Sequence, residues 1–246
     1  MGSVHADFNK QLLLDIHAPF VPTLDNFLPG RNVELLQLLK NVLLQQEKER
    51  FIYLWGNPGC GKSHLLQAMI TEFAATGQNA VFFSADKQHD FLTSNDIDCV
   101  AIDDIDALNT SGQAELFKLY NQLRDESEAI FLVSGSAAPK YLDMRQDLVT
   151  RMGWGLVYQV HDLNEEEKIH ALKKHAANSG FNLSQDVCLY LLRHGRRDLS
   201  SLMMIIDALD RYSLANQRHI TVPLLRELLL ENKADPGQTE IDFTNA

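Results

Sequence analysis

The sequence has 246 residues, of which 45% are hydrophobic, so its apolar side chains suffice for one large domain or for one core with a small appendage. The 22 Lys and Arg residues against 33 Asp and Glu residues leave a net charge of -11, which argues against a protein that coats nucleic acid or an anionic membrane. The three cysteines show no metal-ligand or disulfide spacing, and no apolar run reaches the roughly 18 residues that span a bilayer. We therefore expect a cytoplasmic protein without a membrane partner.

Short apolar runs alternate with helical patterns over the first two thirds of the chain. Apolar residues recur at helical spacing from Asn32 to about Lys48, and a second helix is predicted to begin at Gly61. The strand-like runs are 51–55, 80–83, 99–102 and 129–133. Strands that alternate with helices indicate a parallel sheet with helices on both faces.

After about His161 the pattern contains helices alone. Asn164 followed by three glutamates predicts an N-cap with acids in the first turn. The predicted helices are 165–178, 184–193, 198–215 and 222–231. The predicted organisation is an N-terminal segment over 1–19, an α/β nucleotide-binding body over 20–162, a helical domain over 163–231 and a flexible acidic tail over 232–246.

A phosphate-binding motif lies between the first predicted strand and the helix that follows it. Residues 56–63 (GNPGCGKS) match the full pattern G-x-x-x-x-G-K-[ST], a match that a chance glycine-rich turn does not explain. The glycines let backbone N–H groups converge on a phosphate, Lys62 can reach the β- and γ-phosphates, and the Ser63 hydroxyl can ligate Mg²⁺. We predict bound ADP or ATP with Mg²⁺. The predicted contacts in this segment are Asn57, Pro58, Gly59, Cys60, Gly61, Lys62, Ser63 and His64.

An acidic pair follows the third predicted strand. Asp103 and Asp104 end the run 100–102, which places both carboxylates at the carboxyl edge of the sheet beside the phosphate loop. We predict that Asp103 holds Mg²⁺ through water and that Asp104 orients or deprotonates the attacking water. An ordinary turn after a strand is the alternative, and the phosphate loop upstream favours the catalytic interpretation.

Four segments together resemble the AAA+ module of the replication initiator DnaA. They are residues 23–30, 55–68, 102–105 and 150–155. The resemblance covers about residues 20–231 and implies an AAA+ P-loop fold, with a parallel five-stranded sheet flanked by helices and followed by a small all-helical lid. It also implies that adenine lies near the box 23–30, so Phe27 and Leu28 join the predicted cofactor contacts.

The length of the sequence after the predicted lid distinguishes it from DnaA. DnaA continues beyond its lid into a helix-turn-helix domain, whereas the 15 residues over 232–246 are too few for one. The sequence is therefore similar to the Hda family, regulatory inactivators homologous to DnaA. DnaA is then the expected partner, DNA is contacted only through another protein, and a homodimer or higher oligomer is left open.

The N-terminal segment contains a short motif that the same resemblance explains. Residues 11–16 (QLLLDI) are similar to the Gln-Leu-x-Leu-x-Leu peptide by which Hda and several polymerases bind the replication sliding clamp. Such a peptide uses a glutamine at the rim of a pocket and leucine-type side chains in an apolar groove. The predicted clamp contacts are Gln11, Leu12, Leu14 and Ile16. A short docking strand or helix is the alternative, and residues 238–243 have a similar outline within the acidic tail.

The resemblance assigns roles to two arginines. Arg151 matches the arginine finger, which reaches the γ-phosphate of a neighbouring subunit and neutralises charge in the transition state. A surface pair with Asp147 is the alternative for Arg151. Arg197 matches the second sensor, which contacts phosphates in cis, with Arg196 as the alternative.

One departure affects the chain's own chemistry. DnaA places an acid, the first sensor, after the strand 129–133, but Gly135 and Ser136 stand there in this sequence. We therefore expect intrinsic ATP hydrolysis to be weak or absent, while nucleotide binding is retained. The remaining histidines show no ligand cluster and are interpreted as surface or packing residues.

These observations favour a regulatory inactivator of replication initiation that supplies its arginine finger to ATP held by DnaA, together with the DNA-loaded clamp. The alternative is a DNA-directed AAA+ ATPase of the helicase-loader or transposition-helper type, against which the net charge of -11 argues. A small-molecule P-loop kinase fits less well, because the helical unit follows the α/β body instead of interrupting it.

Overall fold

The computed structural model describes residues 21–87, 91, 96–195 and 198–234. The strands are β1 (Phe51–Trp55), β2 (Ala80–Ser84), β3 (Cys99–Asp103), β4 (Ile130–Gly135) and β5 (Leu156–Gln159). The helices of the body are α1 (Val33–Leu43), α2 (Lys62–Ala75), α3 (Thr110–Glu126) and α4 (Gln146–Met152). Short 3-10 turns lie at Ile105–Ala107 and Pro139–Tyr141.

The five strands form one parallel sheet in the order β2-β3-β4-β1-β5, which confirms the predicted fold class. Both faces are covered: in β4, Leu132 packs with α1 and α2, while Phe131 and Val133 pack with α3 and α4. The interior strands are therefore continuous apolar runs. β5 is an edge strand whose residues alternate between half-buried and exposed, so the sequence contained no such run for it.

The first helix is shorter than its periodicity predicted. α1 ends at Leu43 instead of near Lys48, because Gln45 adopts a left-handed conformation with φ 56°. The N–H groups of Gln45 and Gln46 then bond to carbonyl oxygens of the last turn, at 3.0 and 2.8 Å. These two bonds close the helix and turn the chain towards β1.

The helical unit, hereafter the lid, consists of α5 (Glu165–Asn178), α6 (Gln185–His194), α7 (Leu199–Asn216) and α8 (Val222–Ala234). Its own core contains Leu172, Leu191, Ile206 and Leu225, all fully buried. The predicted boundary between 162 and 163 falls in the connection from β5 to α5. The first helix begins with the predicted N-cap, since Asn164 and Glu167 exchange two hydrogen bonds of 2.8 Å in a capping box.

The last helix extends beyond its predicted end. α8 runs to Ala234, three residues into the predicted flexible tail, because nothing breaks a helix before Pro236. Residues 11–16 and 238–243 lie outside the described residues. In the described part of the chain, every helix is too short or too polar to cross a membrane.

The capping box yields a test of lid stability. Asn164→Ala leaves the N–H groups at the start of α5 without their side-chain acceptor, so we expect a loss of about 1 kcal/mol in the free energy of unfolding. Asn164→Ser retains an equally good cap and is the matched control. Urea unfolding of the three proteins measures the effect, and equal midpoints for Asn164→Ala and its parent would contradict it.

Candidate nucleotide site

A cavity of about 990 Å³ lies between the carboxyl edge of the sheet, the segment before α1 and the lid. Its walls bring together most of the predicted site. The predicted residues that line it are Phe27, Leu28, Pro58, Gly59, Cys60, Gly61, Lys62, Ser63, His64 and Asp104. Asp103 lies just beneath this surface, and Arg151 lies elsewhere on the body.

The phosphate loop is contacted closely from two sides. Gly59 and Gly61 have φ angles of 80° and 105°, a conformation that side chains disfavour. A Cβ on Gly61 would lie 2.7 Å from Cε2 of Phe27, and one on Gly59 would lie 3.2 Å from Cα of Asp198 at the start of α7. At these two glycines the loop therefore has little room for a side chain, with the box 23–30 on one side and the lid on the other.

The charges at this loop suit an anion. The Lys62 side chain is buried, and its Nζ donates to the carbonyl oxygens of Gly56 at 2.9 Å and Asn57 at 3.4 Å, inside the curve of the loop. α2 begins at Lys62 without a side-chain cap, so its first N–H groups face the cavity end of the helix. This cradle, an ammonium group and an uncapped helix N-terminus, fits a phosphate chain.

The acidic pair is organised by a serine of the neighbouring strand. The Ser134 hydroxyl donates to Oδ1 of buried Asp103 and accepts the Asp104 N–H at 3.0 Å. Asp104 has a left-handed backbone with φ 53°, which turns its side chain to the cavity. Burial, and then the charge of Asp103, raises the pKa of the Asp104 carboxyl. A carboxylate of raised pKa is a better acceptor for a proton from water.

The end of β4, where DnaA has an acid as its first sensor, is contacted by the carboxylate of Asp106. The Asp106 carboxylate accepts the Ser136 N–H at 3.1 and 3.0 Å. A Cβ on Gly135 would lie 2.9 Å from Oδ1 of Asp106 and 2.1 Å from the Tyr53 hydroxyl, which donates to Ala137 O at 2.7 Å. Burial and the nearby Asp106 charge raise the pKa of Tyr53. The sequence analysis missed Asp106, whose one signal was the third acid in IDDID.

His64 connects the phosphate-loop helix to the N-terminal box. Its Nε2 donates to the Thr23 carbonyl oxygen at 3.0 Å, and its ring lies edge-on to Phe27 at 5.4 Å between centroids. Thr23 and Asn26 close the box by two reciprocal hydrogen bonds of 3.0 and 3.2 Å. Burial lowers the pKa of His64, so the neutral ring is favoured in this position.

The side chain of Asn57 does not line the cavity, and its predicted contact with the cofactor stays a prediction. Its Nδ2 donates to Oδ2 of Asp162 at 2.9 Å, because the first turn of the loop faces the connection to the lid. The Asn32 side chain holds the same connection through the N–H and carbonyl of His161, at 2.7 and 2.9 Å.

The lid supplies cavity residues that the sequence analysis did not identify. Lys168, Lys174 and His175 of α5 line the cavity opposite the phosphate loop, and Nε2 of His175 lies 2.7 Å from Oδ1 of Asp207. His161 also lines the cavity. Arg196 and Arg197 lie outside the described residues.

Arg151 is half-buried on α4 and stacks on aromatic rings, with its Cζ 4.6 Å from the centroid of Phe117. Its predicted alternative, a pair with Asp147, does not form, because Asp147 pairs with Arg145 at 2.6 Å. Within the described ranges, no carboxylate forms an ion pair with Arg151. The guanidinium group thus contacts aromatic rings instead of a carboxylate.

Comparison with solved structures shows the fold. Domain III of the replication initiation protein DnaA from Thermotoga maritima is 20% identical over 85% of this chain and 95% of that chain, with a TM-score of 0.68. AMPPCP-bound DnaA from Aquifex aeolicus is 21% identical over 76% and 64%, with a TM-score of 0.62. The Holliday junction branch migration motor RuvB of Thermotoga maritima is 16% identical over 85% and 72%, also at 0.62.

These likenesses do not separate one AAA+ protein from another, because a fold hosts many functions. A family model described as RNA helicase matches residues 52–137. The lid gives a more specific match, because residues 165–229 match the model of the Hda lid domain. The chain therefore combines a body with the fold of DnaA domain III and a lid that matches the Hda lid model, the combination expected of an Hda-like DnaA homologue.

His64 predicts a pH dependence of stability. Because its pKa is lower in the folded than in the unfolded state, the unfolded chain takes up a proton first as the pH falls, and stability decreases below about pH 6.5. His64→Gln keeps a donor for the Thr23 carbonyl but cannot titrate. We expect its stability to fall less between about pH 7.5 and 5.5, by at most about 1.4 kcal/mol per pH unit.

Urea unfolding at a series of pH values measures this difference. His219→Gln, which removes an exposed ring from the lid, is the control and should follow the parent. A parallel pH dependence for His64→Gln and its parent would show that the His64 ring does not stabilise the box in its neutral form.

Proposed function

We propose that this chain inactivates DnaA by presenting Arg151 to ATP bound on DnaA, while residues 11–16 hold it on the DNA-loaded sliding clamp. The observation that carries the proposal is the position of Arg151. It is on the body, away from the cavity of its own chain, and without an ion-pair partner among the described residues. Such an arginine serves a phosphate outside the chain better than one inside it.

The chemistry of arginine suits this role. A guanidinium group is planar, always charged and able to donate two parallel hydrogen bonds to phosphate oxygens. In the transition state of phosphoryl transfer these oxygens gain charge, so a finger in trans accelerates the reaction by about 10³–10⁵. Hydrolysis of the ATP on DnaA would in this way prevent repeated initiation of replication.

The chain's own cavity is proposed to hold ADP or ATP with Mg²⁺. Lys62 and the loop N–H groups would bind the phosphates, Ser63 and water on Asp103 would hold the metal, and Phe27 and Leu28 would contact the base. When bound, Mg²⁺ supplies positive charge between the phosphate oxygens. Water and phosphate oxygens would complete the coordination of the metal. Binding of AMPPCP by the Aquifex aeolicus DnaA supports this assignment.

Intrinsic turnover is proposed to be slow, and the nucleotide then acts as a structural ligand. It would lie between the N-terminal box, the phosphate loop and the lid, and so would stabilise their arrangement. Arg197 is the proposed contact from the lid to the phosphates.

A DNA-directed ATPase is the second candidate. The match of residues 52–137 to an RNA helicase model and the fold of RuvB favour it. Its activity would depend on the cavity of this chain, on Lys62 and Asp104, and DNA alone would stimulate it. The inactivator instead needs DnaA and the clamp, so the two candidates differ in their requirements.

Arg151 provides the decisive variants. Arg151→Ala should reduce the clamp- and DNA-dependent hydrolysis of ATP pre-bound to DnaA by at least about 10³-fold, because the transition-state charge loses its partner. Arg151→Lys should fail as well, since a point charge does not reproduce the planar fork. Single-turnover hydrolysis of radiolabelled ATP on DnaA measures the effect.

The control is nucleotide binding by the variant itself. Arg151→Ala should keep the rise in melting temperature that ADP produces in the parent, whereas Lys62→Ala should lose it. If Arg151→Ala stimulates DnaA like the parent, the trans mechanism is wrong and the DNA-directed ATPase becomes the better account.

The tether is tested separately. Replacing Gln11, Leu12 and Leu14 together with alanine removes the polar anchor and two apolar ones, so binding to the clamp should weaken by at least about tenfold. Surface plasmon resonance on immobilised clamp measures it, with the ADP-induced stabilisation as the control for folding. Unchanged affinity would transfer the proposal to residues 238–243, whose Ile241 and Phe243 would then be replaced.

A further inference from the structure

We infer that Trp154 is a positioning residue that holds the Arg151 guanidinium in place through ring stacking. This inference rests on the proposed function, since it concerns the delivery of the same arginine. It adds a residue that contacts neither nucleotide nor phosphate and acts through Arg151 alone.

The geometry is a row of alternating cations and rings on one face of the body. The Cζ of Arg151 lies 4.6 Å from the ring centroid of Phe117, 5.1 Å from Tyr120 and 5.3 Å from Trp154. Arg124 approaches the same Trp154 ring at 5.2 Å. These distances are within the range of cation–π attraction.

The charged groups near the row do not include an ion-pair partner for Arg151 among the described residues. Arg145, the next cation, approaches Phe117 at 5.5 Å and is neutralised by Asp147 at 2.6 Å. Arg124 donates to the Tyr120 hydroxyl at 3.0 Å. Arg151 is therefore surrounded by rings and by other cations, and no carboxylate of the described residues competes for it.

Rings suit a finger better than a carboxylate would. A carboxylate neutralises the guanidinium and occupies its donors, whereas a ring attracts the charge through its face and leaves the in-plane N–H donors free. Stacking also restricts the rotamers of a long side chain before it meets its target, which reduces the entropy lost on contact.

Trp154 is the exposed ring among the three around Arg151. Its side chain is 53% exposed, although a tryptophan is ordinarily buried, and its backbone N–H donates to the Arg151 carbonyl oxygen at 3.1 Å. Main chain and side chain thus connect the two residues, while Phe117 and Tyr120 form the inner wall. Loss of the indole would remove one wall without opening the core.

The experiment compares Trp154→Leu, which keeps apolar bulk without a ring, with Trp154→Phe, which keeps a ring. We expect Trp154→Leu to lower single-turnover hydrolysis of ATP on DnaA by about tenfold, and Trp154→Phe to remain within about threefold of the parent. Tyr141→Leu removes another exposed aromatic that stacks on a cation, Lys140 at 4.6 Å, and should leave the rate unchanged.

A second readout does not depend on DnaA. The Hδ protons of Arg151 should show an upfield NMR shift in the parent from the ring currents, which weakens in Trp154→Leu and persists in Trp154→Phe. If Trp154→Leu stimulates DnaA like the parent, or if the parent shows no upfield shift, the inference is overturned. If Arg151→Ala retains stimulation while the NMR shifts behave as expected, the proposed function fails and the stacking stands.

Discussion

The close approach of two separate segments to two glycines of the phosphate loop is the constraint on which the rest of this structure depends. At Gly61 the aromatic ring of Phe27 leaves no space for a Cβ, and at Gly59 the backbone of Asp198 lies almost as close. The N-terminal box and the lid therefore meet at the same loop. A ligand in that loop would contact both, which explains how one nucleotide can couple the ends of a module whose lid has a separate core.

Acidic side chains and arginines lie in different places on the body. The acids Asp103, Asp104 and Asp106 collect where β3 and β4 end, on the cavity side. Arg151 and Arg124 collect with aromatic rings on and near α4, away from the cavity. The chain as a whole has a net charge of -11, so this row of arginines and aromatic rings differs in sign from the average charge of the protein. A cationic row fits an anionic target held by another molecule.

The sequence was sufficient for features whose cause is local. The phosphate loop is a contiguous motif, the Asn164 cap acts on its own helix, and the interior strands are apolar because both faces are covered. It was insufficient where residues meet across the fold. Asp106 reaches Ser136 from the turn after β3, and Asn57 bonds to Asp162, which lies 105 positions later in the sequence. No periodicity or spacing predicts such contacts, since they depend on how the strands are ordered in the sheet.

The central claim is that Arg151 acts on the transition state of a reaction in another molecule, and the affinity for a transition-state analogue tests it most directly. DnaA would be loaded with ADP and aluminium fluoride, and its binding to this chain measured in the presence of clamp-loaded DNA. The account predicts that Arg151→Ala weakens this complex by at least about a hundredfold, but weakens the complex with ATP-loaded DnaA far less, because the finger contributes mainly where charge has developed. Equal affinities of the parent and Arg151→Ala for the aluminium fluoride complex would contradict the account.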